Sequence, residues 1–319
     1  MGEKKGALDG KSVLVTGGLG FIGSRLVKAL LERNADVRVL VNDEAKLSRI
    51  EALFGNPRLH LVRGSPADAR TLARQRDSWG VVHLLVHLGV KVPQAKGFCE
   101  MARQDIIMNL LPAINLLDAL GSSIEGICFA SSISVYGRPA HTPVREHDPP
   151  HPISSYGATK LAIENFLSAY GQSNKVPVTI LRYSTVYGPG ETAHRAIPNF
   201  MHALSEGRPP MINGDGLEKR DYVYIDDAVT ATLLALIKKP ERVLNIGSGE
   251  SHTTRHIAEE VMRLCSVDKE PIFTPRPEPN TDLTCDISAA QNILGYQPQT
   301  TLEQGLLQEI EWYRKEVKA

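Results

Sequence analysis

The chain has 319 residues with 36 Lys and Arg against 36 Asp and Glu, so the formal charge is zero and neither nucleic acid nor an anionic membrane is an expected partner. Hydrophobic residues make up 42% and charged residues 23%, which excludes disordered and fibrous chains and is enough to fill a large core with an appended lobe. No run reaches the roughly 18 apolar residues of a membrane span and the N-terminal stretch lacks an apolar signal core, so a cytoplasmic protein is expected.

In chain order, the first β-rich run, 12–16, leads into Gly17-Gly18-Leu19-Gly20-Phe21-Ile22-Gly23 and then into a helical pattern over 21–32. Glycines at 17, 20 and 23 permit a tight turn, bring backbone N–H groups close to a diphosphate and let helix pack on strand. Strand before and helix after make this a dinucleotide-binding signal, and the missing Lys-Ser/Thr ending argues against a nucleoside-triphosphate P-loop. The second run, 37–41, ends in Val41-Asn42-Asp43. An acid at such a strand end binds the adenine-ribose hydroxyls of NAD, whereas a base accommodates the extra phosphate of NADP. Asp43 can turn back toward the ribose or simply cap the next helix, so NAD against NADP stays open here.

Further runs follow at 59–63, 81–88, 126–130, 178–182 and 243–246, separated by helical patterns that include 100–120 and 154–171. Continuous apolar strands alternating with helices indicate a doubly wound α/β fold around a parallel sheet. From about residue 183 Pro and Gly cluster and the strands thin out. The expected division is residues 1–182 as the dinucleotide-binding domain and 183–319 as a smaller interleaved lobe that returns a strand near 243–246 to the sheet. Cys99, Cys128, Cys265 and Cys285 lack the spacing of a zinc site, so no metal is expected and the thiols are read as reduced.

The fifth run is followed by Ser131-Ser132-Ile133-Ser134-Val135-Tyr136-Gly137, and the next helix carries Tyr156 and Lys160. Four residues apart, they share one face. A Lys ammonium one turn away and an oxidised nicotinamide ring both favour the phenolate, which can exchange a proton with a sugar or alcohol oxygen while hydride moves. Taken alone, Tyr and Lys at this spacing are more often surface decoration.

The segments TGGLGFIGS, SSISVYG, SYGATK, LRYSTVYGPG, GDGLEKRDYVYIDD, NIGSG and DISAAQNILGYQPQTTLEQGL resemble the extended short-chain dehydrogenase/reductase family, in its nucleotide-sugar epimerase/dehydratase branch, over about residues 11 to 315. The resemblance implies a Rossmann domain holding NAD(P), a C-terminal lobe holding a nucleoside-diphosphate sugar, and Ser132, Tyr156 and Lys160 in the catalytic positions. Ser132 would hydrogen-bond the reacting hydroxyl, Tyr156 would be the acid/base and Lys160 would also hold the nicotinamide ribose. Cofactor positions would include Gly17, Gly20, Phe21, Ile22, Gly23, Asn42, Ser65, Leu88, Gly89, Asn109, Tyr156, Lys160 and Tyr183, with His87 ending the fourth strand. For Asn109 alone, a solvated helix residue is the plainer interpretation. Substrate positions would be Ser132, Thr185, Asn199, Arg220 and Arg276, with Arg220 on the diphosphate. Homodimerisation through the helices near 100–120 and 154–171 is also implied.

Branches of that family differ around Ser132. A 4,6-dehydratase carries Thr-Asp-Glu there, a sugar-acid decarboxylase a Glu at position 134 and a 3,5-epimerase/reductase a Cys at 133; Ser132-Ile133-Ser134 matches the 4-epimerases. Departures from the family pattern stand at Val41, Ser65, Thr185 and Pro279. The expected activity is NAD-dependent epimerisation of a nucleotide sugar at C4, a UDP-hexose or UDP-hexuronic acid. The alternatives are an NAD(P)H-dependent 4-ketoreductase and, third, a non-catalytic dinucleotide-binding protein.

Overall fold

The computed structural model describes residues 6–91, 95, 97–120, 124–192, 195–276 and 280–316. Its centre is a seven-stranded sheet built from β1 (Ser12–Thr16), β2 (Asp36–Val41), β3 (Leu59–Arg63), β4 (Leu84–His87), β5 (Gly126–Ser132), β6 (Val178–Tyr183) and, numbered in chain order, β10 (Val243–Ile246). The spatial order is β10-β6-β5-β4-β1-β2-β3 and every pairing is parallel, so the fold is the doubly wound Rossmann type. β1, β4 and β6 are buried along their whole length, as strands of largely apolar composition are when helices cover both faces.

Alternation along the strands sends Val13, Val15, Val86, Cys128 and Leu181 into one hydrophobic layer and Leu14, Leu85, Phe129 and Ile180 into the other. Helices α1 (Phe21–Leu31), α2 (Ala69–Gln75), α3 (Phe98–Asp105), α4 (Leu111–Leu120) and α5 (Ser155–Asn174) cross between strands. The remaining elements are β7 (Thr185–Tyr187), α6 (Ala196–Ser205), β8 (Met211–Asn213), β9 (Lys219–Tyr224), α7 (Ile225–Lys238), β11 (Ser251–Thr253), α8 (Thr254–Leu264), β12 (Ile272–Thr274), α9 (Ser288–Leu294) and α10 (Leu302–Glu316). They add a three-stranded sheet, β11-β9-β7, and a two-stranded one, β12-β8. Among the described residues no helix is long and apolar enough to cross a membrane.

Several elements differ from the sequence reading, among them α5, which ends three residues later than expected, at Asn174. The run at 81–88 narrows to β4, because Gly80 turns at φ 63° and Val81 remains 63% exposed, while Leu88 leaves the sheet. The helix over 100–120 is broken by a π turn, Ile106–Leu110. Pro112 stands two residues beyond its end; it has no N–H for the carbonyl four residues earlier and its ring would clash there, so a wider turn relieves the helix. β5 extends two residues beyond 130, carrying Ser131 and Ser132 into register with Arg182 and Tyr183.

Candidate functional site

The order in which strands join the sheet reverses between β1 and β4, and such a switch point opens a crevice at the carboxyl ends of the strands. Gly17 sits there at φ +70°, and a Cβ on it would lie 2.7 Å from the Gly89 amide nitrogen. A Cβ on Gly23 would collide with the Gly17 carbonyl, so loop and helix approach as closely as glycine allows. Gly20 caps α1 without a side-chain hydrogen bond, and no acid lies in the first turn. The helix amides and their positive end are therefore left to an anion. Phe21 and Ile22 pack on the core behind this cradle. Such a cradle fits the diphosphate of a dinucleotide.

At the adenosine side Val41 is buried and Asn42 exposed. Asp43 accepts from the Ala45 amide at 3.2 Å and caps a 3-10 helix, Glu44–Leu53, so the capping alternative describes it. The Ser65 hydroxyl accepts from the Ala67 amide at 3.3 Å. At the far wall His87 Nδ1 lies 2.6 Å from Thr16 Oγ1, which also accepts from the Gly89 amide at 3.2 Å. Leu88 and Gly89 follow directly and line the Gly17 turn.

Next to this wall stand the reactive side chains. Ser154 caps α5 by accepting from the Gly157 amide at 3.1 Å, which fixes where the helix begins. Gly157 packs against the Ser134 carbonyl, so the first turn of α5 meets the end of β5. Ser132 Oγ donates to Ser134 Oγ at 3.0 Å and accepts from the Ser134 amide at 3.1 Å. Burial raises the Tyr156 pKa, while the Arg195 charge and a hydrogen bond with Ser132 work in the opposite direction. Lys160 is buried, donates to the Ala130 carbonyl at 2.5 Å, and lies 4.7 Å from the Phe129 ring centroid and 5.8 Å from that of Tyr156. Burial pulls its pKa down to about 7, opposed by the Glu164 carboxylate. A phenol, a hydroxyl and an amine thus converge at one strand end, which is the equipment for moving a proton to or from an alcohol.

Asn109 is not a solvated helix residue. It is buried in the π turn, where its Oδ1 accepts from the Lys91 amide at 2.8 Å and its Nδ2 donates to the Lys91 carbonyl and to Asp105 Oδ1, both at 2.8 Å. The side chain ties helix to the loop after β4. Tyr183 is likewise engaged elsewhere: its hydroxyl meets Thr232 of α7 at 2.6 Å, taking the phenol out of the strand-end row.

In the C-terminal part of the chain Thr185 opens β7, half-buried, in register with Tyr222. Asn199 is exposed on α6. Arg220, on β9, and Arg276, after β12, both reach Glu218, at 3.4 Å and 2.6 Å. Pro279 lies outside the described residues. No group of His, Cys, Asp or Glu suited to a metal ion occurs among the described residues.

Two buried networks escape the sequence reading. Glu164 accepts from Arg182 Nε at 3.0 Å and Nη2 at 2.7 Å, and from Ser131 Oγ, one turn beyond Lys160. Asp221 accepts from the Ser184 hydroxyl, the Ser248 amide and hydroxyl and the Gly249 amide, pinning the glycine turn after β10 to β9. Glu164 continues the four-residue spacing of Tyr156 and Lys160, which is a signal the sequence did hold; Asp221, beside Arg220, has none of its own.

Residues 13–247 match the model of the NAD dependent epimerase/dehydratase family, and the chain belongs to that family. It is 32% identical to a putative UDP-glucose 4-epimerase of Methanocaldococcus jannaschii, over 95% of this chain and 98% of that one. A dTDP-D-glucose 4,6-dehydratase of Mus musculus is 28% identical over 96% of this chain and 89% of that one. Among solved structures, the UDP-glucuronic acid 4-epimerase of Bacillus cereus in complex with UDP-glucuronic acid and NAD superimposes with a TM-score of 0.83 at 29% identity, covering 95% of this chain and 99% of that chain.

Proposed function

We propose that this protein is an NAD-dependent epimerase acting at C4 of a nucleotide sugar, a UDP-hexose or UDP-hexuronic acid. The observation that carries the reading is the side-chain set at the end of β5. Ser132 and Ser134 occupy it together with Tyr156 and Lys160, and positions 132–134 hold no acid or base. Eliminating water from a sugar needs such a pair, whereas oxidation and reduction at one carbon need only a hydroxyl-orienting serine and a tyrosine acid/base. Solved structures of both kinds share the fold, so the residues discriminate where the overall likeness does not.

The backbone at Gly17, Gly20, Phe21, Ile22 and Gly23 would hold the NAD diphosphate, Asn42 and Ser65 would face its adenosine, and Leu88, Gly89, Tyr156 and Lys160 would frame its nicotinamide half, with the Tyr183 backbone beside them and Asn109 acting indirectly by holding the loop after β4. NAD supplies a hydride acceptor that later returns the hydride. Ser132 orients the C4 hydroxyl, and the Tyr156 phenolate takes its proton as the C4–H hydride leaves, producing the 4-keto sugar. Tyr156 then gives the proton back to that oxygen after the sugar has presented its other face. Lys160 stabilises the phenolate through its charge. Arg220 and Arg276 would grip the diphosphate of the nucleotide, a role suited to the guanidinium fork, with Thr185 and Asn199 along the sugar and nucleotide. The division at residues 182 and 183 then separates cofactor domain from substrate lobe, with the reaction between them.

The test incubates NAD-loaded enzyme with UDP-glucose, UDP-N-acetylglucosamine and UDP-glucuronic acid and resolves the C4 epimers by chromatography. We expect interconversion of at least one, and a loss of about 100-fold or more in Tyr156→Phe with cofactor binding retained. No turnover across the panel overturns the reading. The apolar residue at Val41, where a ribose-binding acid would stand, keeps a one-way ketoreductase as the second reading, and stoichiometric loss of NAD(P)H absorbance would establish it instead.

A further inference from the structure

The two arginines assigned to the nucleotide diphosphate already share an anion of the protein's own. Glu218 precedes β9 by one residue, and each of its carboxylate oxygens meets a different guanidinium. Oε1 accepts from Arg220 Nη2 at 3.4 Å and Oε2 from Arg276 Nη1 at 2.6 Å. Arg220 comes from β9 and Arg276 from the segment after β12, 56 positions on, so the carboxylate bridges two separate parts of the lobe. All three side chains are mostly buried, at 15% exposure for Glu218, 24% for Arg220 and 27% for Arg276. Water therefore screens this triad less than a surface pair. One bridging carboxylate with two cations reproduces the arrangement a diphosphate would make.

We propose that Glu218 is an internal stand-in for the substrate's diphosphate: it holds Arg220 and Arg276 together in the ligand-free protein and must give up contacts to them when a nucleoside diphosphate binds. This rests on the assignment of both arginines to the diphosphate. Glu218 thereby becomes a specificity-determining residue. A ligand that engages only one guanidinium leaves the carboxylate in place beside it and meets its negative charge, whereas a diphosphate spanning both displaces it and recovers both charge-assisted hydrogen bonds. The bridge keeps the two forks gathered and excludes weaker anions, at a cost in affinity for the correct one.

Calorimetric titration with UDP and with UMP of the wild-type protein, Glu218→Gln and Arg220→Ala provides the test. Gln has the size of Glu but not its charge, so the competing anion is removed while an amide remains for the arginines. UDP is expected to bind Glu218→Gln about tenfold more tightly than wild type, the size of one charge-assisted hydrogen bond, and the preference for UDP over UMP should narrow. UDP binding that is weaker or unchanged in Glu218→Gln, while Arg220→Ala loses it, overturns the stand-in and leaves the diphosphate assignment standing. Binding unaffected in Arg220→Ala, or no binding of UDP to any of the three, overturns the diphosphate assignment itself. A crystal of the wild-type protein soaked in UDP gives a readout independent of variant folding: the Glu218 carboxylate moves beyond hydrogen-bond distance of Arg220, and an unmoved bridge with UDP bound refutes the proposal.

Discussion

His87 and Lys160 stand at the ends of one buried row, and each acquires through burial a proton affinity foreign to its type. Burial, and then the Lys160 charge, push the His87 pKa from 6.5 down to about 3. The imidazole is packed over Phe129 with ring centroids 5.5 Å apart, and its Nε2 has no hydrogen-bond partner among the described residues. It stays neutral and serves Thr16 rather than any proton transfer. Between pH 6.5 and 3 the unfolded chain binds a proton that the fold excludes, so this share of stability is complete above 6.5 and is lost as the pH falls. In cofactor-free His87→Gln, the loss of unfolding free energy between about pH 7 and about pH 4.5 should be smaller than in wild type by about 2 kcal/mol, as measured by urea unfolding. An equal loss in both proteins would show that His87 titrates normally in the fold. The same burial lowers Lys160 to about 7, and Glu164 counters it. Keeping this amine charged beside Tyr156 therefore depends on groups that never meet the substrate.

At the scale of elements, α5 and β6 meet through the Glu164–Arg182 pair, whose side chains are 3% and 5% exposed. Arg182 also lies 4.8 Å from the Tyr136 ring centroid, and the Tyr136 hydroxyl donates to Asn245 of β10 at 2.8 Å. Helix and three neighbouring strands are thus joined beneath the reactive row. Removing one partner leaves the other charge buried and uncompensated. Glu164→Ala should cost about 3–5 kcal/mol in thermal or urea unfolding, whereas replacing both Glu164 and Arg182 by Met should cost less than half of that, because apolar groups of similar volume satisfy the site. Equal losses in the two variants would mean that volume and not charge governs this contact. The π turn illustrates the same dependence of element on context, since it both accommodates Pro112 and turns Asn109 inward onto Lys91.

For the whole molecule, the surface of α3, the π turn and α4 leaves Ile106 50% exposed, Ile107 59% and Leu111 44%, with Phe166 of the adjoining α5 at 51%. These exposed apolar side chains lie on the two helical regions through which the expected homodimer would form, and burying them between copies is what such a dimer would achieve. Light scattering at micromolar concentration should report twice the 34.9 kDa of one chain, and Ile107→Glu combined with Phe166→Glu should halve it while circular dichroism stays unchanged. A wild-type monomer under those conditions would refute the dimer.

What the sequence by itself determined is local. Apolar runs of strand length between amphipathic helices specify the parallel sheet, glycines at fixed spacing specify the turn that approaches an anion, and Tyr156 with Lys160 specify a shared helix face. Each is a property of consecutive residues, so each is legible without the fold, down to the exclusion of acids from positions 132–134. The sheet order and the close approach of distant segments decided the rest. Arg182 finds Glu164 across 18 positions because β6 lies against β5 beneath α5, and Arg276 finds Glu218 across 58 because β12 pairs with β8. Such pairs carry no periodic signature; burial selects them by making an uncompensated charge too costly to leave unpaired. The π turn ahead of Pro112, and the carboxylate that bridges two arginines, become visible only when the chain has closed on itself.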